Sequence, residues 1–322
     1  EGRALALRLA EVCDLVIENF APRVLPGLGL GWSDFAAVNP AIVMLSMSGF
    51  GASGPERDNV LYGNSQVALC GLGHASGFPG GPPENIGMAH GDPVAAYHAA
   101  FAALVALAAA QHDGLGQQID MSQWETMLAT SPEGVLALGH GGEEPPRQGN
   151  RDRFAAPHGY FHCRGDDRYL AVAIETEAQW RSLCAVMGEP AWSAAPTFAT
   201  AAGRLAHVAE LERRLGAWTE MEDAEDLLTR LRAAGVPAAL VATIADLEGD
   251  EHLAARRFFE TIAHPEAGLR RHVGVPFKLS QTPPRLYRAA PLFGGDSSYV
   301  LQSLLGLSAA EVRRLESAGA LH

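Results

Sequence analysis

A chain of 322 residues is long enough to bury a substantial core and form two domains, and 48% apolar with 19% charged residues is the composition of an ordinary globular protein. The 24 Lys and Arg against 37 Asp and Glu leave a formal net charge of −13, which argues against broad nucleic-acid or anionic-membrane binding. Any anionic ligand must then be held by local Arg side chains and backbone N–H groups against an unfavourable overall field. Cys13, Cys70, Cys163 and Cys184 form no C-x-x-C pair, so they read as reduced thiols of a cytoplasmic protein rather than a disulfide framework or zinc site.

In chain order, the pattern predicts a helix over 2–12, a buried strand over 15–18, a helix over 34–38 capped by Ser33, and a second strand over 42–48. Such alternation implies a parallel sheet with helices on its faces. A Gly/Pro-rich loop over 76–83 leads to a long helix opening at Asp92, then a turn over 114–116 and a further helix from beyond Ser122 towards Leu138. The polar stretch 139–153 is the best linker. Beyond it come strands over 159–162 and 169–174 and helices over 177–187, 205–218 and 224–234, the last stopped by Gly235 and Pro237. Ser308 and Glu311 form a capping box at the start of a terminal helix. The expected division is a large α/β domain over 1–140, a linker over 141–153, a smaller α+β domain over 154–280, and a return to the large domain over 281–322.

Asp92 is the most informative residue. In Gly91-Asp92-Pro93, Pro suits the first helical position and Asp the N-cap, with Val94, Tyr97, Phe101, Leu104, Val105 and Ala108 forming an apolar stripe for burial. A carboxylate at the positive end of the helix dipole is favoured in its ionised form, which suits an attacking group better than a general acid. Read from these residues alone, a helix cap is the simpler role. The stretch 94–110 is short for a bilayer crossing and reads as a core helix.

Other motifs extend the picture. Gly49-Phe50-Gly51-Ala52-Ser53-Gly54 follows a strand with G-x-G-x-x-G spacing, but Pro55 to Asp58 show no helical periodicity, so it is not a dinucleotide fingerprint. Asn19 and Phe20 lie just after a strand, where ligands of parallel sheets bind. The series D-L-V-I-E-N-F-A-P (from Asp14), L-G-L-G (from Leu28), S-G-F-G-A-S-G-P (from Ser48), S-G-F-P-G-G-P-P (from Ser76), G-D-P (from Gly91) and G-L-G-Q-Q-I-D-M-S (from Gly114) resembles the class III CoA-transferases. This is the carnitine and bile-acid CoA-transferase type, in a superfamily shared with the α-methylacyl-CoA racemases. The resemblance continues through A-P-H-G-Y-F-H-C (from Ala156), A-G-V-P-A-A-L-V (from Ala234) and V-P-F-K-L-S (from Val275), and covers essentially the whole chain.

The resemblance implies a Rossmann-like large domain with a parallel sheet, a smaller α+β domain, a terminal helix that packs back on the large domain, and an interlocked homodimer. It implies a chain that begins inside the family's first domain. It also implies transfer of CoA from an acyl-CoA to a carboxylic acid through Asp92, with coenzyme A as co-substrate and no metal or other cofactor. Asn19, Phe20, Arg23 and Leu28 are then the CoA-binding candidates, and Gly49, Phe50, Gly51, Tyr62, Asn64 and Gly91 the substrate-pocket candidates. Two departures bear on specificity. At Gly63, racemases carry a catalytic His and oxalate-handling transferases a Glu, so the racemase alternative lacks one of its two bases. Residues 149–159 replace a glycine-rich closing loop with charged and bulky residues, so the acyl group cannot be read off. A non-catalytic CoA-binding protein is the other alternative.

Overall fold

The computed structural model describes residues 1–144 and 146–321; Pro145, within the expected linker, and the terminal His322 lie outside the described residues. The chain forms two compact units, one of Glu1–Arg147 with the segment from Leu292 onward, the other Gln148–Pro291. The linker expected over 141–153 narrows to the junction after Arg147. Arg147 Nε donates to the Gly81 carbonyl of the first unit (3.0 Å). Arg151 grips Glu212 of the second with Nη2–Oε2 2.6 Å, and the Asp152 carboxylate accepts from the Phe154 and Ala155 N–H groups. The return begins at Leu292 rather than 281, because the preceding segment stays with the second unit, where Leu286 N donates to Glu260 Oε2.

The first unit runs α1 (Gly2–Ala10), β1 (Leu15–Glu18), α2 (Trp32–Val38), β2 (Val43–Ser46), α3 (Gly63–Leu69), α4 (Gly91–Asp113), β3 (Gln118–Asp120) and α5 (Gln123–Thr130), with shorter helical turns between. The strands form a parallel sheet in the order β1-β2-β3, pairing Leu15 with Val43 and Met44 with Gln118. Central β2 is buried throughout, as a parallel strand covered on both faces must be. Val43 and Leu45 turn to α4, while Met44, with Ile42, packs on Ala10 and Phe35.

Three expectations are corrected here. Helix α2 starts at Trp32 and not after Ser33: Gly31 is the cap, and Asp34 Oδ2 accepts its N–H at 2.9 Å. The helix after Ser122 reaches Leu138 as expected but is broken once: α5 ends at Thr130, because Pro132 lacks the N–H to continue it and pushes Ser131 out of helical geometry, and helix resumes over Glu133–Gly139. Helix α4 buries its small face rather than its large one. Ala99, Ala103, Ala106 and Ala110 lie against the sheet and Ala95 is buried on the same face, leaving Tyr97, Phe101 and Leu104 exposed. Alanine lets the helix axis approach the strands closely, and both faces are apolar enough that hydrophobicity alone does not choose between them. At 23 residues α4 also exceeds the expected core segment and is long and apolar enough to cross a membrane.

From Leu292 onward the chain completes the first unit. Leu301, Leu305, Leu307, Val312 and Leu315 enclose a small core with Leu5 and Leu9 of α1, and the capping box at Ser308 and Glu311 is formed.

The second unit is built on an antiparallel sheet ordered β4 (His158–His162), β5 (Tyr169–Ala173) and β6 (Ala238–Leu240). Helices α6 (Glu177–Val186), α7 (Val208–Thr219) and α8 (Ala224–Ala233) supply Trp180, Leu183, Leu211, Leu215, Leu227 and Leu231 to one core. The helix expected over 205–218 is interrupted at His207, which separates Ala201–Ala206 from α7. A separate hairpin pairs β7 (Phe259–His264) with β8 (Gly268–Val273).

Arg204 is fully buried in this core, donating to the Ala156 and Phe198 carbonyls and to Glu177, with its guanidinium 5.0 Å from the centre of the Trp180 ring. Removing the guanidinium leaves the Ala156 and Phe198 carbonyls without their buried donor, while Glu177, whose side chain is 44% exposed, can turn to water, so Arg204→Leu is expected to destabilise the protein by about 2 kcal/mol in urea denaturation. The Arg204 hydrogen bond holds the Glu177 carboxyl below its ordinary value near 4.5, against the opposing effect of burial. With the folded value depressed, this contribution is present above about pH 4.5 and lost as the pH falls through the folded value. Glu177→Gln should therefore lose less stability than wild type on acidification through that window; equal losses in urea titrations would refute the assignment.

Candidate active site

The three parallel strands end at Glu18, Ser46 and Asp120, and the segments that follow them meet α3 and α4 at a cleft of about 330 Å³. Asn19 and Phe20 line it after β1, Ser48 and Gly49 after β2, and Gln123 at the start of α5. Tyr62 and Asp92 complete the wall. A crevice outside the carboxyl ends of parallel strands is the usual ligand site of such sheets.

Asp92 is the second residue of α4 rather than its N-cap; His90 holds the cap position and makes no side-chain capping bond. Pro93 is accommodated because the first-turn N–H groups of a helix have no intrahelical acceptor to lose. The Asp92 carboxylate instead accepts from a side chain of α3: Gln66 Nε2 lies 3.2 Å from Asp92 Oδ1. The same nitrogen donates to Gln123 Oε1 at 2.7 Å, and Gln123 Nε2 donates to the Met47 carbonyl at 2.7 Å. Gln66 is fully buried, and its own Oε1 has no partner; among the described residues the only other such side-chain atom is Trp124 Nε1.

Two glycines make this packing possible. A Cβ on Gly63 would lie 2.6 Å from Asp92 Oδ2, and one on Gly91 would lie 2.1 Å from Gln66 Oε1. Any side chain at either position would collide with the carboxylate or with the amide that holds it.

The remaining candidates are distributed unevenly. Gly49, Tyr62, Asn19, Phe20 and Asp92 share the cleft. Phe50 stacks edge-on to Trp124 at 5.8 Å, and Gly51 abuts Ser122 and Asp120, so these two brace the cleft from behind. Gly91 is buried beneath Gln66. Arg23 does not reach the cleft; it pairs with Asp58 at 3.3 Å on the surface. Leu28 is exposed at the end of the helical turn Val24–Gly27, and Asn64 opens onto a different hollow beside His74 and Asn85. No helix follows Gly54 until α3, as the Pro55 to Asp58 sequence implied. His158 is held by the Asn150 carbonyl, whose oxygen only accepts, so Nδ1 carries the proton. Among the described residues no group of three or more His, Cys, Asp or Glu is arranged to hold a metal.

Gln66 and Gln123 escaped sequence reading. The one available signal is an amide set among apolar residues in Gln66-Val67-Ala68-Leu69-Cys70, one helical turn past Gly63, where a buried polar group needs a partner.

The sequence matches the model of CoA-transferase family III over residues 1–297. It is 33% identical over 317 residues to the succinyl-CoA–D-citramalate CoA-transferase of Chloroflexus aurantiacus, covering 98% of this chain and 79% of that protein. It is 29% identical to the formyl-CoA:oxalate CoA-transferase of Afipia carboxidovorans, covering 100% of this chain and 80% of that protein. The crystal structure of a CAIB/BAIF family protein from Brucella suis superposes with a TM-score of 0.86 at 27% identity, over 94% of this chain and 78% of that one. Matched along nearly its whole length in sequence and in fold, the chain belongs to CoA-transferase family III.

Proposed function

We propose that this chain transfers CoA from an acyl-CoA to a carboxylic acid through a covalent intermediate on Asp92. The observation that carries the reading is the Asp92 carboxylate itself. It lies in the strand-end cleft at the start of a 23-residue helix, with one oxygen on Gln66 and the other over the bare backbone of Gly63. In the proposed reaction the carboxylate attacks the thioester carbonyl, the C–S bond breaks, and an acyl-aspartyl anhydride forms as the CoA thiolate leaves. The thiolate then attacks the aspartyl carbonyl and expels the donor acid, leaving an aspartyl-CoA thioester. An acceptor carboxylate collects CoA by the reverse steps. These steps balance without a metal or redox cofactor; coenzyme A is a co-substrate.

Succinyl-CoA is the first donor to test, because it is the donor named for the Chloroflexus relatives. Incubation with succinyl-CoA, trapping with hydroxylamine and peptide mass spectrometry should give a hydroxamate on the Asp92 peptide. Transfer proceeding with that peptide unmodified would overturn the covalent reading. The racemase alternative is disfavoured by Gly63, which offers no second base and stands where any side chain would strike Asp92. It predicts solvent hydrogen exchange at the substrate α-carbon instead of a hydroxamate.

The same proposal includes a homodimer. Exposed Tyr97, Phe101, Leu104 and Val105 form one apolar face of α4, and a second copy of the chain would remove it from water. Light scattering should give twice the chain mass; a monomeric wild type would refute this. A cytoplasmic setting also belongs to the proposal, supported by four free cysteines.

A further inference from the structure

We infer that Gln66 is the oxyanion donor for the half of the reaction that occurs at the Asp92 carbonyl carbon, an assignment that rests on the Asp92 reading above. The orientation of its amide follows from its neighbours. The Met47 carbonyl can only accept, so Gln123 must present Nε2 to it and Oε1 to Gln66. Gln66 must therefore present its Nε2 to Gln123, and the second N–H of that nitrogen falls on Asp92 Oδ1. Turning the Gln66 amide over would set its oxygen against both Gln123 Oε1 and Asp92 Oδ1, three acceptors without a proton between them. The amide stays locked even though its own Oε1, fully buried beside Gly91, is left without a partner. A buried acceptor left unsatisfied is a cost that stability alone would remove. Here it accompanies the delivery of one fixed N–H to a reacting carboxylate.

The fixed N–H acts at one stage of the sequence. With Oδ1 engaged, Oδ2 is the oxygen that attacks the thioester carbon; it becomes the bridging oxygen of the anhydride as the thiolate leaves with the C–S electron pair. The negative charge of that first tetrahedral species lies on the acyl oxygen, away from Gln66. When the thiolate attacks the aspartyl carbon, the S–C bond forms and the carbonyl electron pair moves onto Oδ1, where the Gln66 N–H already points. Collapse breaks the bond to Oδ2, and the donor acid departs carrying it. No proton is transferred. Gln66 thus serves the attack on the anhydride and its mirror step with the acceptor, not the initial acylation.

The test is rapid quench of the full chain with succinyl-CoA and intact-mass spectrometry. In the wild type the trapped adduct should be CoA on Asp92. In Gln66→Leu the succinyl adduct should accumulate instead, with kcat lowered about 100-fold and the rate of acylation preserved. Gln123→Leu, which frees Gln66 to turn over, should show the same accumulation more weakly, and it decides the matter if Gln66→Leu fails to fold. Uniform loss of acylation and turnover in both variants, or unchanged turnover, would overturn the role of Gln66. A wild type that transfers CoA with no adduct would instead remove the Asp92 reading beneath it.

Discussion

Asp92→Ala is expected to lower kcat for CoA transfer by about 10⁴-fold or more and to abolish the hydroxamate. In covalent catalysis the nucleophile acts as one unit with its supporting groups, and its removal alone costs most of the rate enhancement. Little stability should be lost with it, because the side chain is exposed to the cleft and its one structural partner is Gln66. Asp92→Asn sharpens the test: its carbonyl oxygen still accepts from Gln66, so folding should stay within about 0.5 kcal/mol of wild type while covalent chemistry disappears. Steady-state transfer assays beside urea denaturation separate the two effects. Asp92→Asn with wild-type turnover would mean that Asp92 only shapes the cleft.

Gly63→Ala is the second large effect, and its sign runs against helix propensity. Gly63 is the first residue of α3, where Ala is the better helix former by up to about 1 kcal/mol. The added Cβ would nonetheless stand 2.6 Å from Asp92 Oδ2 and 2.8 Å from the Ala89 Cβ, nearer than packed atoms come. The carboxylate must swing aside, and misplacement of a reacting group by about 1 Å costs roughly 100-fold in rate. Because the Ala89 Cβ is fixed to the backbone and cannot turn away as the carboxylate can, Gly63→Ala should lower the melting temperature in spite of its helix propensity while kcat falls by that factor. Gly63→His should fall at least as far, since its Cβ meets the same atoms. Wild-type kcat in Gly63→Ala would show that the carboxylate reacts from another position.

What could be read in the sequence divides along the range of the interactions involved. Leu15–Glu18 emerged at its observed bounds because four apolar-rich residues between polar turns describe a strand locally, but its expected burial did not follow: β1 stands at the end of the strand order and leaves Ile17 exposed. Thr130, where α5 stops, was missed although Pro132 was in plain view, because the apolar run carried the helical pattern past it. The buried face of α4 was misread for a different reason: residue hydrophobicity ranks Tyr97 and Phe101 above Ala95 and Ala99, whereas the sheet needs a helix that can come close. Asp92 was legible because Gly-Asp-Pro is a local signature. Gln66 and Gln123 were not, since their meaning arises only when positions 57 residues apart share a hydrogen bond. Arg23 shows the same limit: the sequence offers a cation near a strand end, but not that in the fold it pairs with Asp58, a carboxylate it shares with Arg57.

The order in which the ribosome releases the chain meets an awkward geometry. Leu5 and Leu9 emerge well before the residues that cover them, Leu301 to Leu315, with the whole of Gln148–Pro291 made in between. At about 5–20 residues per second, the greasy side of α1 waits roughly 15–60 s for its cover. Premature termination between Pro291 and Leu301 would leave that stripe bare on a nascent protein whose inserted unit is already complete. Such products are natural clients for chaperones and the first material to aggregate.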